Sequence, residues 1–206
     1  MSLFRSARFT LSVAELAMAP PPGLPEIAFA GRSNAGKSTV INVLTNQKRL
    51  AFASKTPGRT QLLNFFSLSE RDEARQVVER AHLVDLPGYG YAKAPGAQRD
   101  TWHELVGGYV GQRQTLIGIV MVMDARRPFL EGDLALLDFV GSRHAWLHFL
   151  LNKSDQLKFT ERRAALNEAN KRAAAIGERA SAQLFSGLKR EGIEELETVL
   201  ARWLAA

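Results

Sequence analysis

Cysteine is absent from the 206 residues, which excludes disulfides and thiolate-bound metals and fits a reducing cytoplasm. No apolar run is long enough to span a bilayer, so membrane insertion is not expected. Internal repeats and low-complexity tracts are missing too, and the basic residues form no long block. His82, His103, His144 and His148 lack metal-ligand spacing and read as ordinary strand or surface residues. What remains is a globular composition, 46% hydrophobic and 23% charged, at a length that suits one compact domain with one sizeable core.

The balance of charge is basic, with a formal net charge of +6 and a sequence pI near 9.9. Such a surplus suits a polyanionic partner or an anionic membrane face, or simply arginine-coated helices. Residues 1–25 carry Arg5 and Arg8 ahead of a short apolar stretch that superficially resembles a secretory leader. Glu15 interrupts that stretch, and Pro20-Pro21-Pro22 looks like a stiff connector. The expectation is an N-terminal extension packed on the edge of a single domain formed by residues 26–206.

Within that domain, apolar runs alternate with helical patterns. Residues 62–68 and 81–84 bracket a polar stretch and read as two strands joined by a hairpin-like turn. Residues 116–123 and 146–151 are continuous apolar runs of strand length, as for strands covered on both faces. A last short strand is expected at 182–185. Trp102, Leu105, Val106, Tyr109 and Val110 share one helical face, and Thr160 is placed to cap a basic helix running to about Ile176. Gly192 precedes an amphipathic closing helix with Ile193, Leu196, Val199, Leu200, Trp203 and Leu204 inward. Strands alternating with helices predict a mostly parallel sheet with helices on both faces, right-handed crossovers, and ligand loops at the carboxyl ends of the strands.

Between the apolar run 27–30 and a helical segment lies Gly31-Arg32-Ser33-Asn34-Ala35-Gly36-Lys37-Ser38, a complete G-x-x-x-x-G-K-[ST] loop, followed by Thr39. Glycines there let backbone N–H groups turn toward phosphate oxygens, and the helix start adds a positive dipole end. Lys37 is suited to the β- and γ-phosphates and the Ser38 hydroxyl to Mg2+. Asp85-Leu86-Pro87-Gly88 follows a strand, which places the Asp85 carboxylate beside the metal and the Gly88 N–H where it can sense a γ-phosphate.

Asn152-Lys153-Ser154-Asp155 ends the 146–151 run. A carboxylate at Asp155 can accept both N1–H and the 2-amino group of guanine, whereas adenine leaves it unpaired, which selects GTP over ATP by roughly 10⁴-fold or more. Phe185-Ser186-Gly187 follows the last strand and can lay backbone N–H groups against the guanine O6. Thr56-Pro57-Gly58-Arg59-Thr60, continuing into Gln61 and Leu62, can bring a threonine hydroxyl onto Mg2+; Thr60, nearer the strand, is favoured over Thr56.

These segments together resemble the EngB (YihA/YsxC) family, in the TrmE-Era-EngA-EngB-septin class of P-loop GTPases. The resemblance is carried by residues 25–38, by Ser54-Lys55-Thr56-Pro57-Gly58-Arg59-Thr60-Gln61, and by residues 83–93 including Tyr89-Gly90-Tyr91-Ala92-Lys93. Asp124-Ala125-Arg126 and Asn152-Lys153-Ser154-Asp155 extend it over nearly the whole chain from about Phe9. Ala35, where valine is frequent, and Gly187, in a usually Ser-rich turn, are small departures. The resemblance implies an α/β three-layer P-loop NTPase of the Ras-like G-domain type, with a mostly parallel, six-stranded sheet and about five helices. It also implies GTP/GDP binding with Mg2+, a role in large ribosomal subunit assembly, and a requirement for normal cell division and septation. The expected partner is the pre-ribosomal large subunit or its rRNA, met by a cytoplasmic monomer.

Tyr89 follows Gly88, where many switch GTPases carry a water-orienting glutamine, so slow turnover is expected, comparable with the ~10⁻⁴ s⁻¹ of an unassisted small GTPase. Related GTPases with asparagine at the Asn34 position use it to ligate K+ near the β,γ-bridge; the plainer role is a loop-stabilising hydrogen bond to backbone. Tyr89, Tyr91 and Lys93 offer either an aromatic–basic surface for RNA or packing for their own loop. A P-loop kinase is a third reading, but no lid or acceptor pocket is evident, and Asn152 to Asp155 argues against it.

Overall fold

The structure is a computed structural model, and it describes residues 2–52, 62–89, 96–140 and 145–206. Strands β1 (Arg8–Val13), β2 (Glu26–Gly31), β3 (Leu63–Arg71), β4 (Val77–Asp85), β5 (Leu116–Asp124), β6 (Trp146–Asn152) and β7 (Ala180–Leu184) form one sheet in the order β1-β3-β4-β2-β5-β6-β7. Helices α1 (Lys37–Leu44), α2 (Gly96–Gln112), α3 (Glu131–Val140), α4 (Phe159–Ile176) and α5 (Ile193–Ala205) cover it. β4, β2, β5, β6 and β7 run parallel, while β3 is antiparallel to both β4 and β1.

The sheet is seven-stranded rather than six-stranded. The additional strand is β1, from the N-terminal segment, which meets the backbone groups that the outer edge of β3 otherwise leaves to water. The hairpin is longer than its apolar pattern, because the polar ends of β3 and β4 still pair as far as Arg71↔Val77. Its turn is held by the Gln76 N–H donating to Asp72 Oδ1 at 2.8 Å.

Two apolar layers flank the central strands. On one side, Leu105, Val106, Tyr109 and Val110 of α2 are buried with Leu136 and Val140 of α3, with Trp102 packed against them. On the other, Val40, Ile41 and Leu44 of α1 meet Leu196, Leu200 and Trp203 of α5. Gly118 lets Trp203 lie flat on β5, since a Cβ there would come within 2.4 Å of the indole.

Thr160 is not the cap of α4. The helix begins at Phe159, and its free end is closed by the Glu161 carboxylate accepting the Lys158 N–H at 2.7 Å. β7 starts two residues earlier than its apolar pattern. Among the described residues no helix is long and apolar enough to cross a membrane.

Candidate functional site

The loop between β2 and α1 sits at the carboxyl end of the parallel strands. Gly36 adopts φ +94°, and a Cβ there would stand 2.3 Å from Asn152 Nδ2, so only glycine admits this close crossing. Asn152 fastens two loops through its amide. Nδ2 donates to the Ala35 carbonyl at 2.9 Å, and Oδ1 accepts the Gly187 N–H at 3.2 Å. Gly187 in turn lies against Thr39, with room for no side chain.

Lys153, itself at φ +62°, reaches over the phosphate loop. Its Nζ donates to the Asn34 carbonyl at 2.6 Å and to Asp124 Oδ2 at 3.0 Å. Arg126 also pairs with Asp124, and chiefly through that bond holds the Asp124 carboxyl well below the usual carboxylate range. Asp124 is therefore a support for Lys153, which spacing alone does not disclose; its place at the end of β5, level with Asn152, was the available signal.

Asp155 stands half-buried after β6 with its Oδ1 accepting from Ser186 Oγ at 2.5 Å. Ser186 is fully buried, and its Oγ also accepts the Lys189 N–H at 3.0 Å. The side chain of Ser186 thus sets the angle of Asp155, a part not foreseen beside its backbone. Phe185 is buried beneath, its carbonyl accepting the Ser154 N–H at 3.1 Å.

At the other end, Lys37 Nζ donates to Asp85 Oδ1, and Asp85 is buried at the end of β4. Leu86 is buried and Pro87 accepts the Trp102 indole N–H at 2.9 Å. Gly88 lies against Ser33, where a Cβ would be 3.1 Å from its Oγ. Gly31 is buried in β2, Arg32 pairs with Tyr89 as a short parallel bridge, and Ser38 is half-buried in the first turn of α1. Asn34 is exposed in the left-handed region at φ +67°, and among the described residues its side chain has no hydrogen bond. Leu62 is half-buried just ahead of β3. Gly58, Arg59, Thr60, Gln61, Thr56, Tyr91 and Lys93 lie outside the described residues.

Of the two readings open for Tyr89, the structure favours packing within its own loop. Tyr89 is only 7% exposed. Its hydroxyl donates to Asp133 Oδ1 at 2.8 Å, its ring meets Trp102 edge-on at 5.8 Å, and its carbonyl accepts the Ser33 N–H at 2.9 Å. Burial, and then the Asp133 charge, push the phenol far above its ordinary value, so it stays protonated as a donor.

A Gly-Lys-Ser loop opening α1, an aspartate ending β4 and an Asn-Lys-Ser-Asp segment closing β6, on this sheet, define a P-loop GTPase. The profile described as "50S ribosome-binding GTPase" matches residues 26–153. A probable GTP-binding protein EngB from Ralstonia pickettii is 49% identical over 210 residues, covering 99% of this chain and 89% of its own length. Its counterpart from Aromatoleum aromaticum is 48% identical over 204 residues, with 99% and 90% coverage. Among solved structures, a probable GTP-binding protein engB superposes with a TM-score of 0.64 at 21% identity, covering 87% of this chain and 98% of that one. Aquifex aeolicus Era bound to GDP·AlF4− gives 0.67 at 19% identity, with 87% and 56% coverage. The chain belongs to the EngB family of GTP-binding proteins.

Proposed function

We propose that this GTPase is a slowly hydrolysing switch in assembly of the large ribosomal subunit, acting in the cytoplasm as a monomer, with a consequence for cell division and septation. The observation that carries the reading is the joining of both ends of the pocket. Asn152 and Lys153 tie the base-reading segment to the phosphate loop, so seating guanine on Asp155 also fixes the phosphate cradle.

Mg2+ fits the residues present. Ser38 and Asp85 offer few, hard oxygens, the pattern of a metal that keeps waters and leans on substrate phosphates. The Lys37 ammonium already occupies the Asp85 carboxylate, marking it as a place for a cation. Ser38, Asp85 and Thr60 would hold the metal, whose contribution when bound is to neutralise charge on the phosphate oxygens. Lys37, released from Asp85, binds the β- and γ-phosphates, and the Gly88 N–H meets the γ-phosphate. The free Asn34 amide supports a K+ role over the loop-stabilising one. Equal kcat in KCl and NaCl at matched ionic strength, with and without ribosomes, would remove that assignment.

Tyr89 favours slow intrinsic turnover, because its hydroxyl is committed to Asp133 and is not free to orient water. The same fact supports a second reading, a nucleotide-gated ribosome-binding module in which hydrolysis is incidental. Co-sedimentation with large subunits separates these: the switch reading expects tight binding with a non-hydrolysable GTP analogue, weak binding with GDP and stalled release with the analogue. Normal release with the analogue leaves only the gated module, and equal binding in both nucleotide states removes both.

A further inference from the structure

Part of the surplus positive charge gathers in one place. Arg80, Arg113, Arg126, Lys153, Arg162 and Arg172 are each matched by a carboxylate. Of the exposed described cations without an ion pair, some lie elsewhere, such as Arg71, Arg127 and Arg163, but Arg5, Lys48, Arg49, Lys189 and Arg190 form a group. They come from separate stretches of chain that the fold draws to one flank of α1.

Each stretch is held rigidly. Asn42 of α1 clamps Ala51 from both sides, Nδ2 donating to the Ala51 carbonyl and Oδ1 accepting the Ala51 N–H, each at 2.8 Å. That closes the loop carrying Lys48 and Arg49. Gln47 Nε2 donates to the Ala7 carbonyl at 2.7 Å, fixing the same loop to the N-terminal segment that bears Arg5. Arg190 Nη2 donates to Asn46 Oδ1 at 3.1 Å, bringing the loop after β7 alongside. Arg5, Asn46 and Arg190 border one hollow of about 390 Å³. Glu194, Glu195 and Glu197 line the same hollow, so a polyanion is repelled from the hollow itself and left to the rim of basic loops beside it. Two of the most exposed large apolar side chains flank that rim, Phe52 at 73% and Leu188 at 76%.

We infer that this rim, from Lys48 to Phe52 and from Leu188 to Arg190 with Arg5 beside them, is the surface that grips single-stranded or loop RNA of the large subunit. The inference rests on the functional reading above and names its contact site. Cations spaced along loops match a phosphate backbone, and an isolated exposed ring matches an unstacked base. An anionic membrane would attract these cations as well, and the vesicle arm of the test separates it. The rim is joined to the base pocket, because Ser186 bonds both Asp155 and the Lys189 N–H, and Gly187 rests on Thr39 of α1. Seating guanine therefore orders the same loop that presents Lys189 and Arg190.

The test measures binding of the GTP-analogue-loaded protein to large subunits, and to a protein-free loop-bearing rRNA fragment, across a salt series. Lys48→Ala/Arg49→Ala/Arg190→Ala should weaken both by at least about tenfold and lower the log–log salt slope by roughly two to three, at about 0.7–0.9 per lost cation. GDP affinity and intrinsic turnover should stay within about twofold. Phe52→Ala should weaken binding with no change in slope. Arg71→Ala/Arg75→Ala, at the far hairpin tip, should change neither quantity. If the wild type binds subunits and the triple variant binds equally with the same slope, the surface is wrong and the functional reading stands. Subunit binding lost without a change in slope overturns it in favour of a protein; with phosphatidylserine vesicles run in parallel, a triple variant that keeps rRNA binding and loses vesicle binding overturns it in favour of a membrane. If the wild type itself binds no subunit, the functional reading falls and this surface with it.

Discussion

In the proposed function Asp155 is the base-discriminating acceptor, and a buried hydroxyl holds it at a fixed angle. Asp155→Asn puts an amide donor where guanine needs an acceptor, so preference should move from guanine to xanthine nucleotides. The expected loss of GDP affinity relative to XDP is on the order of 10⁴-fold, read by competition of GDP, XDP and ADP against a fluorescent nucleotide. Unchanged selectivity would remove Asp155 from base recognition. Ser186→Ala should behave differently. It removes one hydrogen bond to a charged group, about 1.5–3 kcal/mol, and should weaken GDP roughly tenfold or more with the base preference intact. A change in base preference would mean Ser186 touches the base directly. Residue identity and spacing made the phosphate loop and both aspartates legible. The Ser186 and Asp124 side chains were not, since what they hold is distant in sequence and depends on where β6 and β7 end.

At the scale of elements, strands with continuous apolar runs and helices with clean periodicity matched their patterns closely. α3 has Leu136 and Val140 on one face, a short pattern that the sequence reading does not include. It starts after Phe129, which takes the left-handed region at φ +57°, and its free end is closed from within by Asp133 Oδ2 accepting the Leu130 N–H at 2.9 Å. The same carboxylate receives Tyr89, so this helix makes sense only once the segment after β4 packs against it. The β6–β7 pair carries a pH dependence. His148 is 1% exposed, with Nδ1 2.8 Å from Ser181 Oγ and Nε2 3.0 Å from Gln183 Oε1. Gln183 directs its own Nε2 at the Gly192 carbonyl, 2.8 Å away, so its oxygen accepts from His148 and the ring is satisfied when neutral.

Burial lowers the His148 pKa from 6.5 to about 4. Between those values the unfolded chain takes a proton that the folded one refuses, so stability is complete above pH 6.5 and falls as pH drops toward 4. The contribution is about 3 kcal/mol across that window. Burial of His82 acts in the same direction. Urea midpoints at pH 7 and pH 4.5 should therefore differ by less in His148→Gln than in the wild type. Equal differences would show that His148 does not govern the acid limb.

Across the whole molecule, one buried ionic cluster joins parts remote in sequence. Arg113 Nη2 donates to Glu26 Oε1 and to the Pro20 carbonyl, each at 2.6 Å, and Tyr109 donates to Glu26 Oε2 at 2.8 Å. The start of β2, the end of α2 and the N-terminal connector thus meet at the end of the sheet opposite the nucleotide loops. Arg113→Ala strands a carboxylate that is 1% exposed and should cost about 3–5 kcal/mol in chemical denaturation. Glu26→Gln/Arg113→Met, which removes both charges, should cost less. If the double variant loses as much as Arg113→Ala, packing and not charge explains the cluster.

Sequence alone determined the GTPase class, because the phosphate loop and the Asn-Lys-Ser-Asp segment need particular residue types at short spacing. It determined the parallel core as well, because strands buried on both faces leave unbroken apolar runs. Tertiary structure alone decided the seventh strand, the turning of Tyr89 away from the pocket and the gathering of Arg5, Lys48, Arg49 and Arg190 on one flank. Those outcomes rest on contacts between distant segments, whose free energy no local pattern carries.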